Sequence, residues 1–184
     1  MNIEVFDNLL DQKEQDHIEN FLRDPKFPWF LSVGVNHYTV DKETYDNNKS
    51  DYRDECILLT HTFYLNSSRN SDNYQLSDFI LNRFLNRTNI NFTNLFRTKA
   101  NLQLPYYTDK LHTTPHIDNN NDHKVLIYYA NNCDGDTFFL DSQHNIINQI
   151  NPIKGRFILF DGKILHAAGF SKSQMRINVN FNFI

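Results

Sequence analysis

With 184 residues, 40% hydrophobic and 14% aromatic, the chain is long enough to bury a core and too apolar to be intrinsically disordered. A formal charge of −4 without a basic cluster argues against a nucleic-acid partner. No apolar run approaches the length of a membrane span, and Cys56 and Cys133 form neither a disulfide framework nor a cysteine zinc motif. We therefore expect a protein of the reducing cytoplasm with no membrane partner.

The first helix of the chain is predicted from its ends. Residues 3–6 read as a short strand, after which Asp11 and Glu14 have the spacing of a capping box. Pro25 disfavours helical geometry in the residue before it, so the helix should stop near Asp24.

The rest of the N-terminal half alternates between apolar and polar segments. Trp29 and Phe30 are expected to pack under the first helix. Residues 36–54 and 67–75 read as polar loops, and 56–65 as an apolar, β-prone segment between them. Ser77 is predicted to open a second helix, with its apolar residues on one face.

The C-terminal half predicts strands. They cover residues 96–104, a segment ending at Asp118, and residues 124–130, 137–140, 144–150, 156–160, 164–167 and 175–183. Short strands after two helices indicate a mainly β, α+β domain with a double-stranded β-helix (jelly-roll) core and the N-terminal helices packed on one sheet. We expect a single domain over 1–184, in which 1–95 braces the sheet and 96–184 forms the core with the functional site.

A candidate metal site centres on His116 and Asp118. In an extended strand, residues two apart point to the same face, so one imidazole and one carboxylate converge. Two His and one carboxylate leave open positions on a metal, as in non-haem Fe(II) oxygenases, and His166 after a hydrophobic strand is the candidate for the second His. Taken alone, His166 also fits a half-buried histidine satisfied by the backbone. His112 and His123 are competing ligands.

Arg176 is a candidate for binding an anionic co-substrate. It shares one face of an alternating strand with Asn178, Asn180 and Asn182, and its guanidinium can bind a carboxylate through two parallel hydrogen bonds. The alternative is an exposed polar face on a terminal strand. Tyr129 should face inward and could donate to the same carboxylate, or could be an aromatic core residue.

A second alternating strand supplies further candidate cavity residues. Arg97, Lys99, Asn101 and Gln103 share one face, which could line the same cavity as Asn178 and contact a substrate. Residues 41–54 and 119–123 are candidate loops at a substrate entrance.

From Thr113 onward, about 75 residues resemble the Fe(II)- and 2-oxoglutarate-dependent dioxygenases of the prolyl-hydroxylase-like branch. The segments that carry the resemblance are P-H-I-D-N, I-Y-Y-A-N-N-C-D-G-D-T-F-F, P-I-K-G-R-F-I-L-F-D-G-K-I-L-H and R-I-N-V-N-F. Arg176 makes the sequence closer to the oxygen-sensing members and to small bacterial or phage-encoded ones, and a phage-encoded protein would lie in the host cytoplasm. Collagen-type members usually have Lys where Arg176 stands, and nucleobase demethylases have Arg where Asn182 stands.

The resemblance implies a ligand set and a reaction. His116, Asp118 and His166 would bind Fe(II), while Arg176 and Tyr129 would bind the distal carboxylate of 2-oxoglutarate. O₂ would be the second co-substrate, with ascorbate a candidate reductant. The expected reaction is hydroxylation of a C–H bond, first of all in a prolyl residue of a peptide or protein. The alternatives are a free amino acid or other small molecule, or a jelly-roll module that binds a metal without catalysis.

Overall fold

The computed structural model describes residues 2–32 and 57–184. Within them the helices are α1 (Gln12–Arg23) and α2 (Tyr74–Arg87). The strands are β1 (Ile3–Phe6), β2 (Phe30–Ser32), β3 (Leu58–Leu65), β4 (Ser68–Arg69), β5 (Leu95–Gln103), β6 (Lys124–Tyr129), β7 (Thr137–Leu140), β8 (Ile146–Ile150), β9 (Phe157–Asp161), β10 (Leu165–Ala168) and β11 (Arg176–Phe183). The predicted polar loop at 36–54 and the candidate entrance loop at 41–54 lie wholly outside the described residues.

Two antiparallel sheets build the fold. The major sheet has the order β1-β9-β6-β11-β5-β3-β2, with β4 paired to β3, and the minor sheet has the order β10-β7-β8. Two isolated bridges, His112 with Gly169 and His116 with His166, extend the minor sheet beyond β10. The prediction of a mainly β jelly roll with helices on one sheet is confirmed.

Strand β6 shows how both faces of the major sheet become buried. Leu126 and Tyr128 face the core that the helices cover, whereas Val125, Ile127 and Tyr129 face the space between the sheets. The helix-side core contains Ile18 and Leu22 of α1 with Ile80 and Phe84 of α2. The sheet is therefore covered by helices on one side, and its other side is free to carry the site.

Local sequence signals place α1. The carboxylate of Asp11 accepts a hydrogen bond from the Glu14 N–H at 2.9 Å, and the Asp11 N–H donates to Glu14 Oε2 at 3.0 Å. These two bonds form the predicted capping box, and the helix ends with Asp24 as its C-cap. Trp29 packs against this region and donates from Nε1 to the Leu22 carbonyl at 3.1 Å.

Some predicted boundaries are wrong. Helix α2 begins at Tyr74, because Ser77 lies inside its first turn and donates to the Tyr74 carbonyl. The segment predicted as a loop at 67–75 therefore contains β4 and the start of α2. His144 lies in a turn with φ 66°, so β8 begins at Ile146.

The prediction for Phe30 is also wrong. Its side chain is 61% exposed on β2, the edge strand of the major sheet, and does not pack under α1. A strand at a sheet edge has one neighbour only, so an alternating residue there can remain in solvent.

Candidate metal centre and its cavity

Backbone pairing brings His116 and His166 together. The His116 N–H donates to the His166 carbonyl at 2.9 Å, and the His166 N–H donates to the His116 carbonyl at 3.0 Å. Opposed residues of an antiparallel pair project to the same face, and the two ring centroids lie 4.6 Å apart. The predicted strand ending at Asp118 is reduced to two isolated bridges, His112 with Gly169 and His116 with His166.

In each imidazole, the hydrogen bond of Nδ1 determines the protonation of Nε2. Nδ1 of His116 lies 3.2 Å from the Thr114 carbonyl, and Nδ1 of His166 lies 3.0 Å from the Ile164 carbonyl. Because a carbonyl can only accept, Nδ1 carries the proton in both rings. The lone pair of Nε2 is then available for a metal, as in most histidine ligands.

Asp118 completes the group. Its Oδ1 lies 3.9 Å from Nε2 of His116, and the ligand atoms of His116, Asp118 and His166 all lie within 4.8 Å of one another. Among the residues that the structure describes, no further His, Cys, Asp or Glu is part of this group. The structure thus brings together the three residues that the sequence singled out.

A network of polar side chains holds the Asp118 carboxylate. Its Oδ2 accepts hydrogen bonds from Asn180 Nδ2 at 2.9 Å and Asn182 Nδ2 at 2.8 Å, and its Oδ1 lies 3.0 Å from Arg97 Nη2. Arg97 also donates from Nε to Asn182 Oδ1 at 2.8 Å. The two asparagines bind Oδ2, and Oδ1 faces both Arg97 and His116.

The protonation states suit a cation. Burial, together with the charge of His166, lowers the pKa of His116 to about 3, and burial also lowers the pKa of His166. Burial raises the pKa of Asp118, but the positive charge of Arg97 and the nearby histidines outweigh it and hold this pKa well below its usual value. At neutral pH the group has two neutral imidazoles and one carboxylate, the states in which these residues bind a metal. This donor set fits Fe(II).

Arg176 lies buried in the same cavity, with its side chain fixed from one side. Nε donates to the Gly135 carbonyl and Nη2 to Thr137 Oγ1, both at 2.8 Å. The Tyr129 hydroxyl lies 2.6 Å from the same Thr137 oxygen, and the guanidinium lies 5.6 Å from the centre of the Tyr129 ring. Burial raises the pKa of Tyr129, so its hydroxyl keeps its proton. These contacts use two of the five guanidinium N–H groups.

The polar face of β11 is buried, which excludes the alternative of an exposed face. Arg176, Asn178, Asn180 and Asn182 are 1–7% exposed, because β11 lies between β5 and β6 in the major sheet. Asn101 on β5 donates from Nδ2 to Asn178 Oδ1 at 3.0 Å.

One cavity contains these groups. It is lined by Leu58, Lys99, Asn101, Gln103, Thr113, His116, Asp118, Ile127, Thr137, His166, Ala167, Ala168, Arg176, Asn178 and Asn180. Of the residues that the sequence proposed for the site, Arg97 and Tyr129 are not part of the lining: Arg97 contacts Asp118, and Tyr129 contacts Thr137.

Sequence reasoning missed the role of Thr137 and the contact of the two asparagines with Asp118. Asn180 and Asn182 could be placed on the face of Arg176 by alternation, but their contact with a residue more than 60 positions earlier has no local signal. Thr137 opens a buried strand, and nothing in its neighbourhood marks it as a partner of Arg176.

The competing histidines lie apart from the metal group. Nδ1 of His112 is 2.7 Å from the Thr113 carbonyl, and its ring packs against Phe138. Nδ1 of His123 is 2.8 Å from the Asn121 carbonyl, and its ring is packed closely against Gly162.

Among the described residues, neither helix is long and apolar enough to cross a membrane. No family model matches the chain, and no curated protein matches it.

Solved structures match over nearly the whole chain. An oxidoreductase of the 2OG-Fe(II) oxygenase family from Burkholderia pseudomallei has a TM-score of 0.68 and 13% identity, covering 98% of this chain and 84% of its own. A prolyl hydroxylase from Trichoplax adhaerens, in complex with a hypoxia inducible factor peptide fragment, has a TM-score of 0.62 and 14% identity, with coverages of 99% and 83%.

A viral structure is similar at the same level. The collagen prolyl hydroxylase of Paramecium bursaria Chlorella virus-1, in its 2OG complex, has a TM-score of 0.58 and 17% identity, covering 100% of this chain and 97% of its own. At such identities the likeness shows the fold alone. The chain has the jelly-roll fold of the 2OG-Fe(II) oxygenases and prolyl hydroxylases.

Proposed function

We propose that this chain is a non-haem Fe(II) dioxygenase that couples the oxidative decarboxylation of 2-oxoglutarate to the hydroxylation of a C–H bond. The observation that carries the proposal is the position of a three-residue metal group and a buried arginine in one cavity. A structural metal site normally has four protein ligands. The group of His116, Asp118 and His166 offers three among the described residues, and so leaves positions for co-substrates.

In this proposal the three residues hold Fe(II) through Nε2 of each histidine and Oδ1 of Asp118. Bound Fe(II) supplies the redox chemistry by which 2-oxoglutarate and O₂ give succinate and CO₂, one oxygen atom entering succinate and the other the hydroxyl group of the product. Asn180 and Asn182 orient the Asp118 carboxylate, and the carbonyls behind each imidazole orient the rings.

Arg176 binds the distal carboxylate of 2-oxoglutarate in this proposal. Its guanidinium is held by Gly135 and Thr137, so its remaining N–H groups are oriented before the ligand arrives. Two parallel charge-assisted hydrogen bonds to a carboxylate are stronger and more specific in geometry than hydrogen bonds between neutral groups. Tyr129 supports the arrangement through Thr137 and does not itself line the cavity.

For the prime substrate, we propose a prolyl residue in a peptide or protein. Support comes from structural neighbours that are prolyl hydroxylases, one of them in complex with a peptide. A library of proline-containing peptides that fails to stimulate 2-oxoglutarate turnover would count against this choice and favour a small molecule.

The reaction class is tested by succinate formation. Anaerobically purified, Fe(II)-loaded protein is exposed to O₂ with 2-oxoglutarate, with and without ascorbate, beside Asp118→Ala. Succinate from the wild type and not from the variant supports the proposal. If neither protein forms succinate with any peptide or amino acid, although both Fe(II) and 2-oxoglutarate bind the wild type, the chain is a binding module.

A further inference from the structure

Lys99 is a second cation in the cavity, and it binds neither the metal nor 2-oxoglutarate in the proposed function. It lies on the face of β5 that lines the cavity, beside Asn101 and Gln103. Within residues 2–32 and 57–184 it forms no ion pair and no hydrogen bond. Gln103, at the other end of the same strand face, is 3% exposed, and its Nε2 donor has no hydrogen-bond partner among the described residues.

The charges in and beside the cavity do not balance. Arg97, Lys99 and Arg176 are cations, whereas Asp118 is the single carboxylate among the described lining residues. Arg97 is paired with Asp118 at 3.0 Å, and Arg176 is assigned to the co-substrate. A metal and 2-oxoglutarate add opposite charges of equal size, so their binding leaves the ammonium of Lys99 without an ion-pair partner among the described residues.

An unpaired ammonium in a cavity costs free energy. Burial lowers the pKa of Lys99 to about 8; the nearby charge of Arg97 adds to this effect, and the charge of the Asp118 carboxylate offsets part of it. The side chain is therefore still mostly charged at pH 7, at a cost that a bound anion would remove.

Strand register places Lys99 at the metal end of the cavity. It pairs with Asn180, whose amide donates to Asp118, while Gln103 pairs with Arg176. Lys99 and Gln103 are four positions apart on β5, about 13 Å at the usual rise per residue. Arg176 and Lys99 therefore place one cation at each end, and the end with Lys99 is the one where a reacting C–H bond has to lie.

We propose that Lys99 binds a carboxylate group of the prime substrate, close to the carbon that is hydroxylated. The inference rests on the proposed function and narrows it. The substrate is then an acid, either a free amino acid or a prolyl residue beside an acidic side chain, and not a prolyl residue in a neutral sequence. Asn101, two positions from Lys99 on the same strand face, supplies a neutral amide between the two ends of the cavity.

Matched acid and amide probes test the inference without turnover. Protein loaded with Mn(II) and 2-oxoglutarate in the absence of O₂ is titrated by calorimetry with L-proline and L-prolinamide. The second pair is a peptide with Asp after proline and the same peptide with Asn. We expect at least one acid to bind about 10- to 100-fold more tightly than its amide, the range of one charge-assisted hydrogen bond.

The variants assign this preference to one residue. Lys99→Met should remove it and Lys99→Arg should retain part of it, while Lys124→Met, at an exposed lysine of β6 paired with Asp161, should leave it intact. Met is close to Lys in length and apolar, so the variant should fold, which its melting temperature verifies. The same probes added to the Fe(II) enzyme in air should stimulate succinate formation in the same order.

Three results overturn the inference. The first is that the amides bind as tightly as the acids, and the second is that neither pair of probes binds. The third is that Lys99→Met weakens the binding of 2-oxoglutarate itself by the factor expected for the acid. The last result assigns Lys99 to the second carboxylate of the co-substrate. Failure of the proposed function is separate, because it appears as absent metal or 2-oxoglutarate binding by the wild type before any probe is added.

Discussion

His116 and His166 are joined by two backbone hydrogen bonds, at 2.9 and 3.0 Å, although 50 residues separate them in the chain. The metal group thus depends on one bridge between a loop and β10. Loss of either imidazole removes one of three ligands and should lower metal affinity by more than the roughly 10- to 100-fold typical of an outer-shell partner. Calorimetric titration of His116→Ala and His166→Ala with Fe(II) or Mn(II) measures this loss.

The control histidines for this titration are His112 and His123, which lie outside the metal group. His112→Ala and His123→Ala should bind one metal ion with unchanged affinity. A loss of metal in either variant would contradict the proposed ligand set.

The Asn182 amide should matter for the metal although it is not a ligand. It donates to Asp118 Oδ2 at 2.8 Å and accepts from Arg97, so Asn182→Leu frees both groups. We expect a metal affinity about 10- to 100-fold lower. Asn148→Ala, on the exposed edge strand β8, is the control and should bind metal like the wild type. Equal metal affinities for the wild type and Asn182→Leu would show that the Asn182 amide is not needed to orient Asp118 for the metal.

Arg176→Ala should raise the Kd of 2-oxoglutarate with little effect on the metal. Loss of a charge-assisted contact costs about 1.5–3 kcal/mol, which is roughly a 10- to 150-fold change in Kd. Titration of the Mn(II)-loaded protein with 2-oxoglutarate gives the value, with Arg23→Ala on the surface of α1 as the control. An unchanged Kd would show that the distal carboxylate binds elsewhere.

Tyr129→Phe should have a smaller effect than Arg176→Ala. The hydroxyl contacts Thr137 and not the cavity, so its removal leaves the guanidinium with both of its own hydrogen bonds. We expect a change in the Kd of 2-oxoglutarate of about 1 kcal/mol or less, the net value of one neutral hydrogen bond. A change as large as that of Arg176→Ala would indicate direct contact with the ligand.

Lys99→Met should make the ligand-free protein more stable near pH 7. Burial lowers the pKa of Lys99 to about 8, whereas in the unfolded chain it stays near 10.5. The folded wild type therefore bears the cost of the ammonium in full below pH 8 and loses that cost as the pH rises towards 10.5. The free energy of unfolding, measured with urea, should be higher for the variant than for the wild type, and the difference should be larger at pH 7 than at pH 9.5. An advantage that does not shrink with pH would contradict the lowered pKa.

Local patterns were sufficient for several elements. The capping box fixed the start of α1 because its bonds join residues three apart, and strict alternation identified β5 and β11 and the faces they present. The start of α2 and the exposure of Phe30 could not be read in this way, because both depend on which neighbours the segment meets in the folded chain.

For the candidate site, the sequence by itself determined the residue types: H-x-D, a later histidine and an arginine on an alternating strand, a set whose chemistry fits Fe(II) and a dicarboxylate. Only the tertiary structure decided which histidines meet, that Asn180 and Asn182 hold Asp118, and that Thr137 joins Arg176 to Tyr129. It also decided that Lys99 has no hydrogen-bond or ion-pair partner within residues 2–32 and 57–184. These relationships follow from the pairing of β11 with β5 and β6 and of His116 with His166. Sheet pairing joins residues that are distant in the chain, and side-chain periodicity within one strand carries no information about its partner.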